Sequence, residues 1–226
     1  MRRPLIVYGC GGLGREVAMA ARVGSEHEVV GFIDDSVAPG SQVHDLPVLG
    51  GVEAMERYDA EELGVYVAIG SIPVHRAVVE RIWSLSRSLS FPNIIHPDAT
   101  VDLERVSLGI GNYVAAGARL TAEVRIGDFN IINLNSVLAH DVVLGDRCQI
   151  NPGAVLNGQD VVGDEVVIGA GAVVMPRTEV GAGAVVGIGA VVAGPVPPGC
   201  TVIGNPARVV RRPPAADRME GEGAPL

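Results

Sequence analysis

Counting from Leu108 in steps of six, every position through Val192 is leucine, isoleucine or valine, fifteen in succession without a slip. Four residues after each of them the chain usually places something compact, as at Ala118, Ser136, Cys148, Ala154, Ala172 and Thr178. Glycine often follows the aliphatic residue directly, as at Gly109, Gly127, Gly145 and Gly163. Ordinary half-buried strands alternate with period two and carry turn signals every 8–12 residues or so, so they do not produce this pattern. A six-residue period predicts a solenoid in which each hexad supplies one short strand and three hexads close a triangular coil. The aliphatic residue fills the prism, the compact residue points inward near a corner, and glycine eases the bends. Fifteen hexads make five coils, with partial ones expected at the ends.

The composition agrees with such a narrow, repetitive core. Hydrophobic residues make up 48% of the 226, yet aromatics are only 4% and glycine reaches 30 residues. The repeat begins near residue 97 and is expected to stop at Pro195, Pro197 and Pro198. Residues 201–212 are then expected to leave the helix, and 213–226 to form a disordered tail. Solenoid ends need capping, and the segment before the repeat is placed to cover the first one.

That segment, 1–96, has a different texture. Residues 5–8, 29–33 and 65–69 read as strands, while a stretch to about Arg22 and residues 73–85 read as helices. Such alternation predicts a small Rossmann-like parallel α/β domain. The expected organisation is therefore an α/β domain at 1–96 and an all-β parallel β-helix at 97–212, with the tail at 213–226.

Several function classes are disfavoured. A net charge of −9 and a pI near 5.0 argue against a nucleic-acid partner. Cys10, Cys148 and Cys200 are widely spaced with no CxxC pair, which suits a reducing cytoplasm and makes a disulfide framework or a zinc site unexpected. The start MRRPLIVYG reads as a first strand rather than a signal peptide. No stretch approaches the ~18 apolar residues of a membrane span. The expectation is a soluble, cytoplasmic, metal-free protein.

The unbroken hexads, the ending IGNPARVVRR and the front motifs YGCGGLGREV, GFIDD, PVLGG and VAIG together resemble the bacterial sugar O- and N-acetyltransferases, which join a Rossmann-like domain to a left-handed β-helix. The resemblance spans roughly residues 4–212. It implies acetyl-CoA as cosubstrate, a nucleotide-linked amino sugar as acceptor, a homotrimer with acetyl-CoA between neighbouring subunits, and direct attack with no acyl-enzyme. O-acetylation of a sugar hydroxyl, a non-catalytic sugar-nucleotide-binding role and NAD-dependent chemistry are the alternatives.

Acetyl transfer needs a group that takes a proton from the attacking nucleophile, and histidine, with an ordinary pKa of about 6.5, serves near neutrality. Of the five histidines only His140 lies within the regular repeat, two residues past an inward aliphatic position and so aimed outward. Asp141 follows directly and is suited to orient the ring, as a triad carboxylate does. The resemblance identifies His140 as the base and assigns Asn133 to the substrate; Asn151 stands one coil further on, and an asparagine ladder that satisfies turn backbone is the alternative. The resemblance also assigns Gln149, Gly158, Ala170 and Ile188 to acetyl-CoA, with Gln149 standing where relatives often carry a second histidine. Cys148, at an inward position, reads as a core residue rather than a nucleophile.

Gly9-Cys10-Gly11-Gly12-Leu13-Gly14 fits G-x-G-x-x-G between a strand and a helix, and Asp34 stands 20 residues beyond Gly14. Alone this is a dinucleotide fingerprint, though the domain is short for that role and tight turns in an α/β cap would also explain it. By resemblance, Gly11, Gly12, Asp34 and Asp35 hold the sugar nucleotide. Leu13 departs from the family, many of whose members carry histidine there, and this puts the identity of the sugar in doubt.

Overall fold

The computed structural model describes residues 2–24 and 26–213. Its front part is built from β1 (Arg3–Tyr8), α1 (Gly12–Gly24), β2 (His27–Ile33), the two-residue strands β3 (Gln42–Val43) and β4 (Leu46–Pro47), β5 (Gly64–Val67) and α2 (Ile72–Leu85). The main sheet is parallel, in the order β2-β1-β5. Central β1 is covered on both faces, which is why Leu5, Ile6 and Val7 form an unbroken apolar run with no exposure. β1 and β2 begin two residues before their apolar runs, because Arg3 pairs with His27 and Pro4 with Glu28 at the sheet's end. α1 packs closely through Val17, Ala18, Ala20 and Ala21. α2 carries Pro73 in its first turn, where no amide is needed, and buries His75, Val78, Val79 and Ile82 along one helical stripe.

From Ile94 onward the chain is a three-sided parallel β-solenoid. One face stacks six strands, 100–101, 119–120, 137–138, 155–156, 173–174 and 191–192. A second stacks five, from 107–108 to 179–180. The third runs from 94–95 through 113–114, 131–132, 149–150, 167–168 and 185–186. Registers advance by one coil, Arg119 to Val137 to Val155. The aliphatic hexad residues from Val114 to Val192 are all buried, with Leu108 half-buried at the open end.

The bends work differently from the expectation. The left-handed residue is three places after each aliphatic one, and it is often not glycine: Glu123, Phe129, Asn135, Asp141, Arg147 and Gln159 all have φ between 53° and 66°. The glycines directly after the aliphatic residues serve close stacking instead, since a Cβ on Gly127 would lie 2.9 Å from the backbone of Gly145 in the next coil.

The compact inward position is also more varied than the sequence suggested. It forms three columns, one per corner. One is small (Ala118, Ser136, Ala154, Ala172, Ala190), and one holds an asparagine ladder, in which Asn112 Oδ1 accepts from Asn130 N at 2.8 Å and Asn130 Oδ1 from Cys148 N at 2.7 Å. The third reads Val106, Val124, Val142, Asp160, Thr178, Val196, all buried.

The two ends differ from expectation as well. Residues 201–212 do not simply leave the helix: Thr201–Ile203 pairs with 185–186 in the third face, and Arg208–Arg211 folds back antiparallel on it. Val186 pairs with Val202, so the proline-bearing coil is two residues short of a regular one and the period is hidden. At the first end the α/β domain covers the prism only in part, leaving a cavity of about 720 Å³ lined by Val101, Val106 and Leu108. The tail expected at 213–226 lies outside the described residues, apart from Pro213.

The α/β domain sits against the third face and its adjoining corner. Tyr113, Ala115 and Ile131 share a buried cluster with β1 and α1, and Phe129 shares one with α2. No helix among the described residues is long and apolar enough to cross a membrane.

Candidate active site

His140 occupies the corner between strand 137–138 on the first face and 143–144 on the second. Leu138 and Val142, both fully buried, anchor the corner from inside. Asp141 turns the chain with φ +61°, and its amide donates to Ala122 O at 3.0 Å. His140 O accepts from Gln159 N at 3.0 Å, which ties the corner to the next coil. The imidazole projects into solvent with 63% of its side chain exposed, and Nδ1 lies 2.8 Å from Asp141 Oδ2. A carboxylate there selects the tautomer with hydrogen on Nδ1, so Nε2 carries the lone pair. The corner therefore presents an oriented, exposed imidazole.

Gly158 lies one coil below, and a Cβ on it would come 2.5 Å from His140 Nε2. Its smallness makes room for the imidazole, a role that the expected contact with acetyl-CoA did not include.

The remaining expected residues are dispersed over the prism. Asn133 stands at the far end of the first face, with Oδ1 accepting from Leu134 N at 2.8 Å. Asn151 lies directly below it and donates from Nδ2 to Ile168 O at 3.0 Å. Ala170, half-buried, and Ile188, 84% exposed, stack at that same corner. Gln149 lies on the third face and its amide donates to Gly70 O just beyond β5, so here it ties solenoid to α/β domain. A single chain thus gathers His140, Asp141 and Gly158 at one corner and Asn133, Ala170 and Ile188 at another. Cys148 is fully buried, its Sγ 3.0 Å from Gly163 O, and burial pushes its thiol up to about 12, which removes it as a nucleophile.

In the glycine loop, Gly14 admits no side chain because a Cβ would run into the carbonyl of Gly9, which itself has φ +99°. Gly11 and Gly12 border open space at the start of α1. Asp34 braces the loop: Oδ2 accepts from Cys10 N at 3.0 Å and Oδ1 from Ser36 N at 2.9 Å and Ser36 Oγ at 2.5 Å. Burial opposes its charge, but the hydrogen bonds from Ser36 and Cys10 win and hold the carboxyl at about 2. Asp35 accepts from Tyr8 Oη at 2.6 Å and pairs with Arg81 at 3.1 Å. Burial, then the bond to Asp35, pushes the Tyr8 phenol up to about 12. Both acids are thus engaged within the domain. Tyr8 and Arg81 were missed in the sequence, where nothing marks them as partners of an acid dozens of residues away. Leu13 is half-buried against the apolar cluster beneath α1.

The α/β domain covers the third face, whereas His140 stands on the edge opposite that face. The glycine loop and His140 of one chain are therefore on different sides of the prism. Among the described residues, no group of His, Cys, Asp and Glu is arranged to hold a metal ion.

Comparison with known proteins places this geometry in context. Residues 4–82 match the PglD N-terminal domain, and residues 123–158 match the bacterial transferase hexapeptide (six repeats). Among curated proteins no sequence matches the chain. PerB from Caulobacter crescentus, solved in complex with CoA and GDP-perosamine, is 33% identical with a TM-score of 0.82, covering 91% of this chain and 96% of PerB. The acetyltransferase domain of PglB from Neisseria gonorrhoeae is 34% identical with a TM-score of 0.82, covering 92% and 100%. A histidine-to-asparagine variant of perosamine N-acetyltransferase from Caulobacter crescentus, with CoA and GDP-perosamine, is 30% identical with a TM-score of 0.83, covering 92% and 97%. With this identity sustained over nearly the whole length of both chains, the protein belongs to the hexapeptide-repeat sugar acetyltransferases that carry a PglD-type N-terminal domain.

Proposed function

We propose that this enzyme transfers the acetyl group of acetyl-CoA to the amine of a nucleotide-linked 4-amino sugar, with His140 as general base. The observation that carries this reading is the His140–Asp141 pair, 2.8 Å apart on an exposed solenoid corner, in a chain whose relatives act with CoA on an amino sugar nucleotide. His140 Nε2 takes the proton from the amine as its nitrogen attacks the thioester carbonyl; the new C–N bond forms as the C–S bond breaks. Asp141 holds Nδ1–H and stabilises the imidazolium. The proton then leaves Nε2 for the departing thiolate.

The remaining roles follow the same reading. Gly11 and Gly12 at the start of α1 admit the nucleotide's phosphates, with Asp34 holding that loop in shape and Asp35 at its rim. Asn133 assists the acceptor, and Gly158, Ala170, Ile188 and Gln149 border acetyl-CoA. Because these groups occupy different corners of one prism, the site is complete only when two chains meet, as in a homotrimer. The strongly exposed Ile188 supports such a meeting of surfaces. Three unpaired cysteines suit work in the cytoplasm.

The test is thiol release from acetyl-CoA with UDP-, dTDP- and GDP-linked 4-amino sugars beside their 4-hydroxy counterparts. Turnover with an amino sugar is expected. Turnover confined to hydroxyl acceptors would replace N- by O-acetylation. Acetyl-CoA binding without turnover on any acceptor would contradict both.

A further inference from the structure

Asp160 is a fully buried carboxylate inside the prism, in a corner column that otherwise reads Val106, Val124, Val142, Thr178 and Val196. A charge in an apolar column is costly unless its hydrogen bonds are satisfied. Here both oxygens accept backbone amides: Oδ1 from Thr178 N at 2.9 Å in the next coil, and Oδ2 from Asn157 N at 2.8 Å across its own corner. The asparagine ladder at another corner makes the same link from coil to coil with neutral amides. An asparagine would not serve at 160, because its NH2 would face either Asn157 N–H or Thr178 N–H, donor against donor. The acid is therefore required by the second link, the one that closes the corner 157–160. Burial pushes its carboxyl up to about 6, with the two amides pulling the other way.

That corner is where His140 rests. Gly158 lies against the imidazole, and Gln159 N donates to His140 O at 3.0 Å. Asn157 Nδ2 donates to Val174 O at 2.6 Å and fixes the corner from the other side. We infer that Asp160 is a positioning residue for the base: from inside the prism it holds the turn 157–160 in the shape that seats His140. The inference rests on the reading of His140 as base.

A double-mutant cycle tests it on the full-length enzyme, with kcat, KM for acetyl-CoA and circular dichroism measured for each variant. Asp160→Asn is expected to lower kcat about 10-fold by displacing the base slightly, with KM for acetyl-CoA changed less than about 2-fold. In a His140→Ala background the same change should alter the residual rate by less than about 2-fold, because the two residues act as one unit. Asp160→Val, repeating the residue of the two preceding coils, gives the same comparison should the asparagine variant fold poorly. A folded Asp160 variant with wild-type kcat, or an equal loss in both backgrounds, would overturn the inference while leaving the base reading intact. Wild-type activity in His140→Ala itself would overturn both.

Discussion

The two halves of this molecule are held together by different chemistry. The solenoid core is mainly aliphatic, each coil packing on the next through residues such as Leu138, Ile150 and Ile168, with a few hydrogen-bonded polar residues such as Asn130 and Asp160 among them. Its only aromatic residues are Tyr113 and Phe129, and both face the α/β domain. Nearly every ring contact is gathered at that junction: Phe129 lies 5.3 Å from Phe91, 5.5 Å from His75 and 5.8 Å from Trp83, and Tyr66 meets Tyr113 at 6.3 Å. A repeat of identical thin layers leaves no room for rings inside, whereas the irregular seam between a helix and a corner does. The solenoid thus supplies regular, local order for the His140 corner, and the junction fixes where the glycine loop sits relative to the prism.

The largest effect expected is a separation of the two halves by substitution. Phe129→Ala should cost about 3–5 kcal/mol and Ile150→Ala about 2–5 kcal/mol, but on different transitions. The helical signal in circular dichroism reports on α1 and α2, the long helices of the front domain. It should melt earlier in Phe129→Ala with the solenoid little changed, while Ile150→Ala lowers the sheet transition. Equal shifts of both signals in both variants would mean that the halves form one cooperative unit.

A smaller effect sharpens the junction. His75 is buried with Nδ1 lacking a hydrogen-bond partner, and burial, with Arg147 second, lowers its pKa to about 4. The unfolded chain takes up a proton below about 6.5, the folded one only near 4. The stability linked to neutral His75 is therefore whole above pH 6.5 and lost as pH falls toward 4, roughly 2 kcal/mol of it by pH 5. His75→Leu should remove about that much of the difference in denaturant stability between pH 7 and pH 5. The smallest effect belongs to Arg76, half-exposed, which pairs with Glu165 beside Arg147. Arg76→Ala should cost no more than about 1 kcal/mol, less at high salt.

The same contrast explains what was legible in the sequence. Inward positions of a solenoid obey a strict volume rule, so Leu108 to Val192 announced the fold. His140 stood out as the one histidine of the regular repeat with an acid beside it, and the two side chains do meet at 2.8 Å. Outward positions obey no period, so nothing in the sequence sets Phe129 and Arg147, which meet α2, apart from residues that face solvent. Asp160 sat at a readable inward position, and an acid among valines there was a signal that a column-by-column reading would have caught. Asp34 was found by its spacing from the glycines, but spacing does not reveal that Cys10 and Ser36 take up its oxygens. The last coil was obscured by prolines that shorten it, hiding Val202 from a count by sixes.

The central claim is that an exposed corner of the solenoid carries the base. Its most direct test is kcat for acetyl transfer by His140→Ala, measured at saturating acetyl-CoA beside acetyl-CoA affinity and thermal unfolding. The account predicts a fall of about 10²–10⁴-fold in kcat, with affinity and unfolding unchanged. A folded variant that keeps kcat within a few-fold of wild type would contradict it.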